Sequence, residues 1–216
     1  MLRIFVLVAV ISVSVPLYAD TPMVGKNLLP NESFENRPGF KDETPREWGS
    51  WGSDFNGLST TIHRKGQQSV YFVCPKQNDS MGIFYTYRNV KPGNTYTFSG
   101  YVLNCAEDPI RGNAFGQLSI EWRKIMNNGR EEISRDYGPK FGSELSPMKW
   151  TFVTMSAVAP VDTDDCNFVI QFFNKGDGGG KFFADDVSAE GINKSTAVKE
   201  FLLLKSRPDT KTGAHR

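Results

Sequence analysis

Lys181-Phe-Phe-Ala-Asp-Asp-Val-Ser-Ala-Glu-Gly191 is the stretch on which the fold turns. A glycine cluster (Gly176, Gly178, Gly179, Gly180) precedes it and reads as a turn. In an extended strand Phe183, Asp185 and Val187 share one face, and Phe182, Ala184 and Asp186 share the other. Whichever face is buried then carries an acid among apolar neighbours. An unpaired buried carboxylate costs several kcal/mol, so a compensating partner is required unless the acids sit solvated at a sheet edge. The stretch Asn27-Leu-Leu-Pro-Asn-Glu-Ser-Phe-Glu35 sets further acids beside an apolar anchor, Phe34.

Outward from these two stretches, apolar runs bounded by turn residues recur. They are Ser59 to His63, Gln68 to Cys74, Gly82 to Val90, Asn94 to Asn104, Phe115 to Met126, Lys149 to Val158 and Asn167 to Asn174. Several alternate, as Leu118/Ile120/Trp122 do against Gln117/Ser119/Glu121. Short alternating strands between Gly, Pro and Asn turns predict an all-β antiparallel sandwich rather than βαβ units. Lys91-Pro-Gly-Asn94 is a turn, and no helical period persists within the domain.

Residues 1–19 read as a secretory signal, with Arg3, the apolar run Ile4 to Val15, and Ala19 before a cut. The run is too short and too interrupted for a comfortable membrane span. Residues 20–191 form one domain, long enough to bury about 70% of its unfolded surface. Residues 192–216 read as a tail. Ser195 to Lys205 could wind into a short helix, and the rest is disordered in composition. With 25 basic and 24 acidic residues, no basic field argues for nucleic acid or an anionic membrane. The chain is expected to be a secreted or extracellular monomer, with the periplasm as an alternative compartment. Cys74, Cys105 and Cys166 allow at most one bridge; the expectation is a pair such as Cys74–Cys105, or three buried thiols.

The ordered pieces resemble the carbohydrate-binding modules of the cellulase-C type (families four, nine, sixteen and twenty-two), within the galactose-binding-like jelly-roll group. The resemblance runs from N-L-x-x-N-x-x-F-E (Asn27 to Glu35) and Trp48, through Gly66-Gln-Gln-Ser69 and Pro92-Gly-Asn-Thr-Tyr-Thr-Phe-Ser99. It ends with Trp150, Ala159-Pro160 and F-F-x-D-D-V at Phe182 to Val187. It covers about residues 27 to 190 and implies a jelly-roll sandwich without catalysis of its own.

The residues themselves agree on catalysis. No G-x-S-x-G elbow, H-E-x-x-H pair or Cys/His arrangement is present, and of the two histidines, His63 and His215, the second lies in the tail. Glu121 and Glu132 are the acids that a glycosidase reading would use, without a paired spacing on one strand. The resemblance implies a structural calcium tying the first strand to the last. Its matching ligands are Glu35 and one acid of the pair Asp185/Asp186, Asp185 for preference, with backbone oxygens near Arg64 to Gly66. A hydrogen-bond staple without metal is the alternative.

The resemblance also implies a glycan-binding face on one sheet. Tyr101, Gln117, Glu121, Arg123 and Gln171 fall out of phase with the core positions, and Trp51, Tyr85 and Tyr87 are candidate additions. Trp122 and Trp150 read as core, in phase with Leu118/Ile120 and Phe152. The expected partner is a polysaccharide or glycan, neutral unless a local Lys/Arg cluster overrides the overall charge. The rival readings are a protein-interaction domain that kept this fold, and a hydrolase with a hidden carboxylate pair.

Overall fold

The computed structural model describes residues 26–36, 44–52 and 57–192, so the expected leader and the tail beyond Ile192 lie outside the described residues. Ten strands form two five-stranded antiparallel sheets. The first sheet holds β1 (Gly49–Trp51), β4 (Asp79–Tyr87), β9 (Asp165–Asn174), β6 (Ala114–Met126) and β7 (Gly129–Phe141), in that order across it. The second holds β2 (Leu58–Ser59), β3 (Ser69–Val73), β10 (Lys181–Ile192), β5 (Thr95–Asn104) and β8 (Thr151–Val158). The β-sandwich expected from the alternating runs is therefore present, with two strands that the runs do not show.

One core lies between the sheets. The first sheet contributes Met81, Ile83, Leu118, Ile120, Trp122, Phe168, Ile170 and Phe172 from alternate positions of β4, β6 and β9. The second contributes Val70, Phe72, Tyr96, Phe98, Val102, Phe182 and Ala184. Trp122 is core as expected, and its indole N–H donates to Asp136 Oδ2 at 2.7 Å. Phe152 and Trp150 differ from expectation. Phe152 is 51% exposed, because Val153, Met155 and Ala157 carry the inward phase of β8. Trp150 packs instead on a second cluster, Leu103, Cys105 and Phe183, outside the second sheet.

The acids of β10 are resolved by a bulge. The register slips between Asp185 (opposite Tyr101) and Ser188 (opposite Ser99), so two residues of β10 face the single Gly100. Phe182 and Ala184 point inward before the slip, and Val187 and Ala189 after it. A straight strand would have put Asp186 into the core. The opening segment fills the space the bulge leaves. Asn27 donates to Val187 O at 3.2 Å and accepts from Ala189 N at 2.9 Å, while Leu28 N donates to Ala189 O and Val187 N to Glu32 O. Phe34 is fully buried against Trp48, with ring centroids 5.4 Å apart.

No disulfide is formed; all three cysteines are free thiols. Cys74 N donates to Gly180 O and Cys105 N to Lys181 O, which places the two cysteines on opposite flanks of β10. Two strand spacings, about 9–10 Å, separate such positions, beyond the roughly 7 Å reach of a bridge. Cys166 is buried in the main core, and burial pushes its thiol well above the ordinary range.

Candidate functional site

The outward face of the first sheet gathers most of the expected site. Cross-strand register sets Trp51, Gly82, Gln171 and Gln117 in one row and Phe84, Val169, Ser119 and Tyr137 in the next. Thr86, Asn167, Glu121 and Arg135 form a third row. On one flank Phe173 and Phe115 stack at 5.0 Å; on the other Asp165 meets Arg123.

Two aromatic rings rest across glycines. A Cβ on Gly82 would lie 2.9 Å from Trp51 Nε1, and a Cβ on Gly49 would lie 2.5 Å from Phe84 Cζ. Each ring therefore covers the glycine of the neighbouring strand, and only glycine leaves room for it. This gives the face two half-exposed platforms at its β1–β4 edge. A groove of about 620 Å³ continues from Phe84 along that edge, past Thr86 and Arg88 to Glu47.

Beside the platforms lies a polar floor. Gln171 Nε2 donates to Ser119 Oγ at 2.9 Å, and Gln117 Nε2 donates to Gly138 O at 2.6 Å. Gln171 is fully buried, and its Oε1 has no hydrogen-bond partner. An orphaned buried acceptor costs about 1–3 kcal/mol. Further along, Asn167 donates to Glu121 Oε2 and accepts from Thr86 Oγ1, each at 2.8 Å. Arg135 bonds Glu121, and Asp165 is held by both Arg123 and Arg130.

The structure thus brings Trp51, Gln117, Glu121, Arg123 and Gln171 onto one face. Tyr101 is a correction: it lies on β5, on the outer side of the second sheet, against Phe152 and beneath the Arg64 guanidinium at 3.5 Å. The whole sandwich separates it from Trp51. Tyr85 and Tyr87 are a second correction, because they take the inward phase of β4 and pack on Trp48 and on Tyr96 and Phe168. They reach the surface only as part of the edge groove. The sequence reading passes over Phe84, Phe115, Phe173, Tyr137, Ser119 and Asn167. Counting the β6 alternation through β4 and β9 is the signal that finds the first three.

The three acids of the expected calcium site are engaged differently. Glu35 accepts from Gln67 N and Gln68 N at 3.0 Å each, and a Cβ on Gly66 (φ 65°) would lie 2.3 Å from its Oε1. Asp185, fully buried, accepts from Arg64 N at 2.7 Å, Lys65 N at 3.3 Å and Asp186 N at 2.7 Å. Asp186 is ion-paired with Arg64. Calcium takes six to eight oxygens, whereas this loop turns its N–H groups and a guanidinium toward the acids. Among the described residues no group of three His, Cys, Asp or Glu is placed to hold a metal, and the acids here are met by N–H groups and a guanidinium rather than by further oxygens. Burial pushes the Asp185 carboxyl up to about 6 from an ordinary 3.8, against the lowering effect of the N–H groups of Arg64 and Asp186.

A calorimetric or dye-monitored melt checks the staple. A site of typical extracellular affinity, with a dissociation constant of roughly 10⁻⁴–10⁻³ M, would gain about 0.4–1.4 kcal/mol from 1 mM calcium. The expected result is the same melting temperature in chelator and in calcium. A rise of several degrees would mean that the cation displaces these N–H groups.

No protein-family model matches the chain, and no curated protein matches it in sequence. Solved structures do match in shape. One is TmCBM61 in complex with β-1,4-galactotriose, 13% identical, over 76% of this chain and 97% of that one, with a TM-score of 0.51. Another is the CBM22-1 xylan-binding domain from Paenibacillus barcinonensis Xyn10C, 16% identical, over 78% and 96%, at 0.52. A third is the enzymatically active domain of tailspike protein 4 from bacteriophage CBA120, 12% identical over 77% of this chain, at 0.54; the chain spans about a fifth of that protein. At these identities the likeness is one of fold. The chain folds as the β-sandwich of the carbohydrate-binding modules.

Proposed function

We propose that the chain is a glycan-binding module whose ligand lies across the outward face of the first sheet. The observation that carries this reading is the pairing of two ring platforms, Trp51 on Gly82 and Phe84 on Gly49, with the partly exposed polar side chains Thr86, Glu121 and Arg123 on the same face. A pyranose is apolar on its ring face and polar at its rim, and this face offers the same two chemistries side by side. The solved structures of like fold include a xylan-binding domain and a galactotriose complex, which supports the same ligand class. The leader-like stretch Arg3 to Ala19 supports export to where such polymers lie. Glu121, Glu132 and Asp165, carboxylates on the face, are each tied to arginine, an arrangement that holds a surface rather than one that moves protons.

A pyranose covering about 100 Å² of one ring gains about 2.5 kcal/mol of apolar burial. Two rings give about 5 kcal/mol, and hydrogen bonds from the sugar hydroxyls to exposed polar side chains add to it. Association entropy and desolvation offset much of this, so a dissociation constant of about 10⁻³ to 10⁻⁵ M is expected. Affinity electrophoresis against xylan, β-glucan, cellulose, mannan and galactan tests the reading. Trp51→Ala and Phe84→Ala should each weaken retardation about tenfold or more, while Tyr101→Ala leaves it unchanged. Retardation by none of these polymers, or a loss that follows Tyr101 instead, would refute the face.

A further inference from the structure

The two ends of the outward face differ in charge, and the difference points to a class of glycan. At the β6–β7 hairpin end the arginines of β6 and β7 are each paired with an acid. Asp165 takes Arg123 and Arg130, and Arg135 takes Glu121 and Glu132. At the opposite end Phe115 and Phe173 stack in register across β6 and β9. Lys140 Nζ sits 4.3 Å from the Phe115 centroid and Lys175 Nζ 5.9 Å from that of Phe173. Neither lysine is ion-paired with a carboxylate among the described residues; their charged contacts are these rings. A depression of about 400 Å³ opens there, walled by Ala114, Phe115 and Phe141 and rimmed by both lysines. Glu144 also lines it, but its Oε1 accepts the Gly142 N–H. Asp177 lies nearby and accepts from Asn113.

Resting on the glycan-binding reading of this face, we propose that this end is a subsite for a sugar bearing a carboxylate, a uronic acid. Two ammonium groups over adjacent apolar rings are what such a residue requires. Its ring face meets Phe115 and Phe173, and its carboxylate draws the lysines off the rings, where an exposed ammonium is only weakly held. The overall charge balance of the chain does not oppose this. The arginines of β6 and β7 are already bound to acids at the far end. Lysine serves here as a mobile point charge, so a carboxylate on either side of the depression can be met.

The test compares acidic polymers with their own neutral forms. Polygalacturonate, alginate and glucuronoxylan are each presented native and carboxyl-reduced, beside the neutral panel, with dextran sulfate as a plain polyanion. At low salt at least one native acidic polymer should bind about three- to tenfold more tightly than its reduced form, the gain expected of two exposed ion pairs. The gain should shrink at 0.5 M salt. Lys140→Gln with Lys175→Gln should abolish the difference while leaving the melting temperature and the binding of neutral polymers unchanged. Equal binding of native and reduced forms overturns the proposal, as does a preference that survives the double substitution. Binding of dextran sulfate as tight as that of the uronates would mean simple ion exchange and also overturns it. Neutral binding without acid preference removes the subsite alone, whereas binding of no polymer in either set removes the glycan reading with it.

Discussion

Replacing Phe182 with alanine is expected to cost about 3–5 kcal/mol, at the upper end of what truncating one buried side chain does. Phe182 has no exposed surface and stands at the meeting point of three rings. Phe72 stacks on it at 4.6 Å from the neighbouring strand, and Phe141 and Phe172 meet it edge-on at 5.2 and 5.0 Å from the other sheet. Truncation removes the transfer free energy of the ring and leaves a cavity that β3, β10 and the facing sheet cannot close together. Three ring pairs go at once, each worth about 0.5–1.5 kcal/mol beyond its area. For a domain of this size the melting temperature should fall by roughly 6–20 °C. Urea unfolding checks it; a loss under about 1 kcal/mol would mean that the rings repack and that this junction is not central. Phe182→Leu keeps most of the volume and should lose much less.

Asp185 should make the fold less stable as pH rises through 4 to 6. Its carboxyl is raised to about 6 in the folded chain from an ordinary 3.8, chiefly by burial. Between those values the folded state holds more protons than the unfolded one, so the unfolding free energy falls as pH increases. About two pKa units correspond to about 3 kcal/mol, present below pH 4 and lost above pH 6. Other groups titrate in the same range, so the clean measure is a difference. Asp185→Asn cannot ionise, and the stability of the wild type relative to it should drop by up to about 3 kcal/mol from pH 4 to pH 7. A flat difference would show that the N–H groups of Arg64, Lys65 and Asp186 hold the carboxylate as well as water does. A difference that rises with pH would instead show that these N–H groups, or a bound cation, hold the carboxylate better than water does.

The architecture was largely legible in the residues. Alternation in Leu118/Ile120/Trp122 and Tyr96/Phe98 names the inward positions of β6 and β5, because a strand repeats every two residues wherever it lies. The need for partners was legible too: acids embedded in the first and last apolar stretches are met by N–H groups and a guanidinium, the arrangement that the sequence reading held as the alternative to calcium. β7 escaped notice for the opposite reason. Gly129–Phe141 is an edge strand exposed over nearly its whole length, so it carries Arg, Glu and Asp where a buried strand would carry apolar residues. The bulge at Asp185 escaped as well, since the slip depends on Gly100 across the ladder and on the opening segment that fills the gap.

For the proposed binding face the division is sharper. Local alternation separates inward from outward positions on a single strand, and on that ground Tyr101 and Gln117 were alike. A sandwich has two outward faces. Which one a strand belongs to is set by its hydrogen-bonded neighbours, and those are far away in sequence: β5 joins β10 and β8, while β6 joins β9 and β7. The same pairing sets Trp51 over Gly82 and Phe84 over Gly49, where a missing side chain on one strand makes room for a ring from another. A residue's own sequence neighbourhood fixes which side of its sheet it faces along an unbroken strand, because that follows from the two-residue repeat. Its companions at a site follow from long-range pairing, which the chain settles only when the two sheets close on their shared core.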